Sequence, residues 1–149
     1  MPYLQTTSNE TQGRFSPDGH WIAYTSDESG TSQIYVQSFP VGAPKVQVST
    51  AGGTQPRWRR DGKEIFYLAA DSKLMAVAVQ TAPKFEAGAP KALFDPRIAR
   101  GVTASFAAFG YDVTADGKRF LVNSISTTPE SSASPPITVV VNWQSALKR

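Results

Sequence analysis

Three times in this chain an aromatic or β-branched residue is followed by two residues, an Asp-Gly pair and a short apolar run. The copies read Phe15-Ser-Pro-Asp18-Gly19-His-Trp-Ile-Ala-Tyr24, Trp58-Arg-Arg-Asp61-Gly62-Lys-Glu-Ile-Phe-Tyr67 and Val113-Thr-Ala-Asp116-Gly117-Lys-Arg-Phe-Leu-Val122. Asp-Gly between two strand-like runs is a hairpin signal. A two-residue turn needs positive φ, which glycine adopts without steric cost. The three pairs are therefore predicted to be structural turns.

Their spacing narrows the fold class. The turns lie 43 and then 55 residues apart, from Asp18 to Asp61 to Asp116. Repeats of about 40–50 residues with four strands each indicate the blades of a β-propeller. The chain is thus predicted to be all-β: three blades of four-stranded antiparallel sheet in one partial domain over residues 1–149. Blade one covers 9–50, with strands near Gln12–Ser16, Trp21–Thr25, Gln33–Phe39 and Lys45–Ser49. Blade two covers 51–95, with strands near Gln55–Arg59, Glu64–Leu68, Leu74–Gln80 and Ala92–Phe94. Blade three covers 106–149 and lacks an outer strand, its strands being Phe109–Thr114, Arg119–Asn123 and Ile137–Trp143. The stretches Pro83–Pro90 and Asp95–Ser105 read as loops. The low-complexity run Thr127–Pro136 reads as a mobile one.

The second strand of each blade is apolar on consecutive residues: Trp21-Ile22-Ala23-Tyr24, Ile65-Phe66-Tyr67-Leu68 and Phe120-Leu121-Val122. A continuous run means that both sheet faces are covered. Blades packed between neighbours achieve this without helices. Three blades fall below the roughly four to eight that close a ring. Residues 1–8 contain Tyr3-Leu4-Gln5-Thr6, a strand with nothing earlier to pair with. The expectation is a homodimer closing a six-bladed propeller, in which this strand completes blade three of the other copy. The alternative is that the missing half belongs to a longer parent.

The run Phe15-Ser-Pro-Asp-Gly19, with Ile22-Ala-Tyr24, Ser29-Gly30 and Ile34-Tyr-Val36 behind it, resembles the TolB-type, WD-repeat-like propeller blade. The stretch from Gly52-Gly-Thr-Gln-Pro-Arg-Trp58 through Leu74 to Asn142-Trp143 is similar to the C-terminal end of bacterial propeller proteins, many of them serine/threonine protein kinases with a propeller sensor or TolB-like proteins. The resemblance implies the fold over nearly the whole chain and leaves the function open, because blades of this kind serve many roles. No kinase phosphate loop, His-Arg-Asp or Asp-Phe-Gly occurs, and no Gly-x-Ser-x-Gly elbow of a hydrolase.

Composition excludes further classes. Net charge is only +3, which argues against a nucleic-acid binder. The basic cluster Arg57, Arg59, Arg60 and Lys63 alternates faces around a turn. No stretch approaches the roughly 18 apolar residues of a membrane span. No signal peptide is read at the start, so the chain is expected to be soluble with its compartment open, a periplasmic or extracytoplasmic place in a longer parent being one alternative. With no cysteine, one histidine and no Asp-x-Asp-x-Asp loop, no metal site, cofactor or catalytic residue is expected. His20 and Asp27-Glu28 read as solvated turn residues, and Gly52-Gly53 as a turn between blades.

What the repeat alignment does supply is an inner-strand column. Arg14, Arg57 and Asp112 share one register, and Gln12 and Gln55 another. Together with Glu10 and Tyr111 these are the candidates for a channel mouth that binds a small anionic or peptide ligand. The competing reading is a ring of hydrogen bonds and ion pairs that holds blades in register, since buried arginine needs partners. The expected role is non-enzymatic: protein–protein or ligand binding, or sensing and gating within a larger bacterial kinase or peptidase. The loops Asn9–Gln12, Gly52–Gln55, Ala108–Tyr111, Ser26–Ser29 and Ala70–Ser72 would border that mouth.

Overall fold

The structure is a computed structural model that describes residues 6–98, 109–124 and 137–141, the last by backbone alone. Among these residues there is no helix, and so none long and apolar enough to cross a membrane. The strands form three successive antiparallel sheets. The first runs β1 (Glu10–Phe15), β2 (Trp21–Ser26), β3 (Gln33–Ser38) and β4 (Val46–Gln47). The second runs β5 (Thr54–Trp58), β6 (Glu64–Leu68), β7 (Leu74–Gln80) and β8 (Glu86–Ala87), with β9 (Lys91–Phe94) also paired to β7. The third is β10 (Tyr111–Val113), β11 (Arg119–Asn123) and β12 (Ile137–Val141). The fold is all-β and of the propeller type. Tyr3–Gln5, Trp143 and the run Thr127–Pro136 lie outside the described residues.

The Asp-Gly pairs sit in hairpins, but not in two-residue ones. Ser16 N–H donates to Trp21 O and Gly19 N–H to Ser16 O, at 2.8 and 2.9 Å, which closes a loop of Pro17–His20 around one turn. Arg59 with Glu64, and Thr114 with Arg119, repeat the arrangement. Only the glycines have positive φ, between 71° and 74°, so each aspartate keeps an ordinary backbone. Its carboxylate does a different job. It accepts the N–H two residues on: His20 at 3.1 Å, Lys63 at 3.1 Å and Lys118 at 3.0 Å. This is the Asx-turn device, which a two-residue turn has no room for. The residue two before each aspartate also donates to it: Ser16, Arg59 and Thr114.

These bonds hold the three carboxyls below the usual carboxylate range. The first cause is Ser16 for Asp18, Arg59 for Asp61 and Thr114 for Asp116. A depressed folded value means the contribution is complete above the unfolded pKa and lost as pH falls through the folded one. Thermal melts are therefore expected to fall below about pH 4. Asp→Asn changes at the three turns together should flatten that decline, and an unchanged slope would contradict the assignment.

The core is the seams between sheets. Trp21, Ala23, Ile34, Val36 and Val48 of the first sheet meet Ile65, Tyr67, Val77, Val79 and Phe85 of the second. The opposite face of the second sheet, Phe66, Leu68, Leu74, Ala76 and Leu93, meets Ile98, Tyr111, Phe120 and Val122. Thus β2 is buried throughout and β6 nearly so, each covered on both faces. In β11, within one copy, burial alternates instead. Leu121 is 47% exposed, whereas Phe66 at the same register of β6 and Ala23 of β2 are fully buried. The reason is that nothing described lies beyond the third sheet. The far face of the first sheet carries Ile22, Tyr24 and Tyr35, with Phe15 57% exposed beside it.

Candidate functional site

The inner strands β1 and β5 both break register at the same place in the repeat, between Thr11 and Arg14 and between Thr54 and Arg57. Each break places a glutamine in the left-handed region: Gln12 and Gln55 both have φ 59°. Such a backbone is costly for a side-chain-bearing residue and persists only where its surroundings compensate. Here the compensation is visible. Gln12 Oε1 accepts the N–H of Gln55 at 2.8 Å and the Thr25 hydroxyl at 3.0 Å. Gln55 Oε1 in turn accepts the N–H of Gly110 at 2.6 Å. Gly110 occupies in the third sheet the position that the glutamines hold in the first two. One blade therefore supplies an acceptor to the same backbone position of the next.

Two further bonds lock the seams. Trp58 Nε1 donates to Arg14 O at 3.0 Å, and the Tyr111 hydroxyl donates to Gln55 O at 2.8 Å. Tyr111 is buried, and that burial pushes its hydroxyl pKa well up. Gln55 and Tyr111 are thus engaged inside a seam rather than presented at an open mouth. Glu10 accepts the Thr6 hydroxyl and lines a shallow groove of about 320 Å³ on the far face of the first sheet, with Phe15, Ile22, Tyr24 and Phe39.

Arg14, Arg57 and Asp112 do come together. Arg57 Nε lies 3.3 Å from Asp112 Oδ1, an ion pair without a hydrogen bond. Both guanidiniums lie over one ring, that of Phe109, at 4.3 Å for Arg14 and 3.8 Å for Arg57. Burial lowers the Arg57 pKa, Asp112 opposes the shift and the neighbouring Arg14 adds to it. Phe109 escaped the sequence reading because in the repeat it is only the residue before the glycine. Its role arises when the first and second sheets bring their arginines to it.

The other candidates are tied into the scaffold. Both Asp27 carboxylate oxygens take N–H groups of Asn9, at 2.9 and 2.7 Å, and Glu28 pairs with Lys45. Of the basic cluster, Arg59 pairs with Asp61 at 2.7 Å and Glu64 at 2.8 Å, so it forms no patch with Arg57. Among the described residues no three His, Asp or Glu side chains gather as a metal site would require. A cleft of about 660 Å³ lies away from the arginines. It sits where the first two sheets meet, lined by His20, Trp21, Phe39, Pro44, Lys84 and Phe85. His20 is exposed there, 3.7 Å from Asp18. Ser38, in the same cleft, donates its hydroxyl to Pro40 O and accepts the N–H groups of Gly42 and Ala43.

No protein-family model matches the chain. Among solved structures the chain is similar to the crystal structure of an oligogalacturonate lyase from Vibrio parahaemolyticus, a β-propeller, with a TM-score of 0.57 and 16% identity. The match covers 80% of this chain and 31% of that one, so the chain spans less than a third of that protein's length. At this identity the likeness shows the propeller-type fold and nothing of the chemistry.

Proposed function

We propose that this chain is a non-catalytic propeller module, of the TolB-type and WD-repeat-like kind, that works by binding. Its first partner is a second copy of itself. The observation that carries this is the pair of uncovered blade faces. Leu121 stands 47% exposed in a column where Phe66 and Ala23 are fully buried by the next blade. At the other end Phe15 is 57% exposed, whereas Trp58, at the same repeat position, packs into the seam between sheets. The last face of one copy laid on the first face of another buries both, and a two-fold axis repeats the contact and closes a ring. An exposed aromatic and aliphatic face of this kind is an interface or an aggregation hazard. A non-catalytic role is supported by the Ser38 hydroxyl, held by three backbone groups, and by the exposed, solvated His20.

Sedimentation equilibrium tests the partner. The expected mass is twice the 16.1 kDa of one chain, and Leu121→Asp should return it to one. A wild-type mass of a single chain would sink the homodimer. It would favour the second reading, a sensor or gating part of a larger bacterial kinase or peptidase that supplies the other blades. That reading is supported by the 31% of the similar lyase that this chain spans.

A further inference from the structure

We propose that Arg14 and Arg57, set side by side on Phe109 at the inner edge of the sheets, bind the carboxylate of a small anionic ligand. This goes beyond ring closure and needs only residues of one copy. A guanidinium carries several N–H donors in a rigid fork and no acceptor. Among the described residues neither arginine side chain makes a hydrogen bond, and Arg14 has no ion pair at all. Both Nε atoms are shielded from solvent without a hydrogen-bond partner, although Asp112 Oδ1 stands 3.3 Å from that of Arg57. A third such donor is Gln55 Nε2, on a side chain that is wholly buried and whose Oε1 holds Gly110, the residue after Phe109. Arg57 is 17% exposed, so its charge is largely withdrawn from water.

Structural arginines withdrawn in this way normally find acceptors, because an unpaired buried charge is costly. Phe109 satisfies part of that demand through its ring face, which attracts both cations. It cannot accept their N–H groups in the plane of the fork. An oxyanion supplies both the acceptors and the missing negative charge. With Asp112 beside Arg57, the three side chains carry one net positive charge. That balance matches the single charge of a carboxylate better than a phosphate dianion. The planar fork also matches two coplanar oxygens.

The test is a titration of the uniformly 15N-labelled full chain at constant ionic strength, following the arginine Nε–H and tryptophan Nε1–H resonances. The probes are acetate, inorganic phosphate and chloride. Acetate is expected to give saturable shifts at Arg14, Arg57 and at Trp58, whose Nε1 bonds Arg14 O. Arg14→Lys and Arg57→Lys keep the charge and lose the fork, so each should weaken acetate binding by about tenfold. Three results would each overturn the proposal: a linear drift shared with chloride, tighter binding of phosphate than of acetate, or acetate binding that neither lysine variant weakens. If one lysine variant fails to fold, the other decides. Repeating the titration on Leu121→Asp separates this site from ring closure, because acetate should bind whether or not the second copy is present.

Discussion

Replacing Phe66 by alanine is expected to remove about 3–5 kcal/mol of stability, a large part of what a domain of this size has. The ring is wholly buried and lies edge-on to Phe120, with centroids 5.2 Å apart at 84°. It packs with Leu68, Leu74, Ala76 and Leu93 in the seam between the second and third sheets. The β-sheet backbones hold that seam open, so truncation leaves a cavity rather than a collapsed contact. Leu121→Ala occupies the same column one blade later and should cost well under about 1 kcal/mol in an isolated chain, since Leu121 is 47% exposed. Urea unfolding of both variants checks the pair. A loss at Phe66 no larger than that at Leu121 would mean that the second and third sheets do not pack as described.

Gln55→Leu should be the second most damaging change. The amide oxygen of Gln55 is the hydrogen-bond acceptor of the buried Gly110 N–H, and leucine offers none. Leaving such a donor unsatisfied costs about 1–3 kcal/mol. Leucine would also inherit φ 59° without the bond that stabilises it there. Native-state hydrogen exchange should show Gly110 losing protection. Gln12→Leu removes the acceptor for Gln55 N–H by the same logic, and the amide that loses protection there should be that of Gln55. Equal loss at every amide in both variants would show general destabilisation instead of two successive links.

Much of the fold could be read from residue order, because hairpins are local. The Asp-Gly pairs at Asp18, Asp61 and Asp116 mark turns whatever the distant chain does. The apolar runs at Trp21–Tyr24 and Ile65–Leu68 are buried on both faces as their composition requires. The length of the turns is not legible in the same way, because Asp-Gly alone does not say how many residues the loop holds. The third apolar run, Phe120-Leu121-Val122, has the composition of a covered strand, but one face of it is open in a single copy, and composition does not report which neighbour covers it.

The candidate site was legible only as a column. The repeat register aligns Arg14 with Arg57 and Asp112, and the structure does bring all three together. It does not indicate that a single Phe109 ring lies under both guanidiniums, or that Gln12 and Gln55 turn left-handed to reach the next blade. Those are contacts between residues more than forty positions apart.

The period, the hairpins, the apolar faces and the absence of cysteine chemistry thus follow from neighbouring residues and backbone preference. Which donors find acceptors and which blade faces find a neighbour depends on contacts made between sheets. Glutamine and arginine side chains are long and adaptable, so their partners are set by how two sheets pack, not by the strand that carries them.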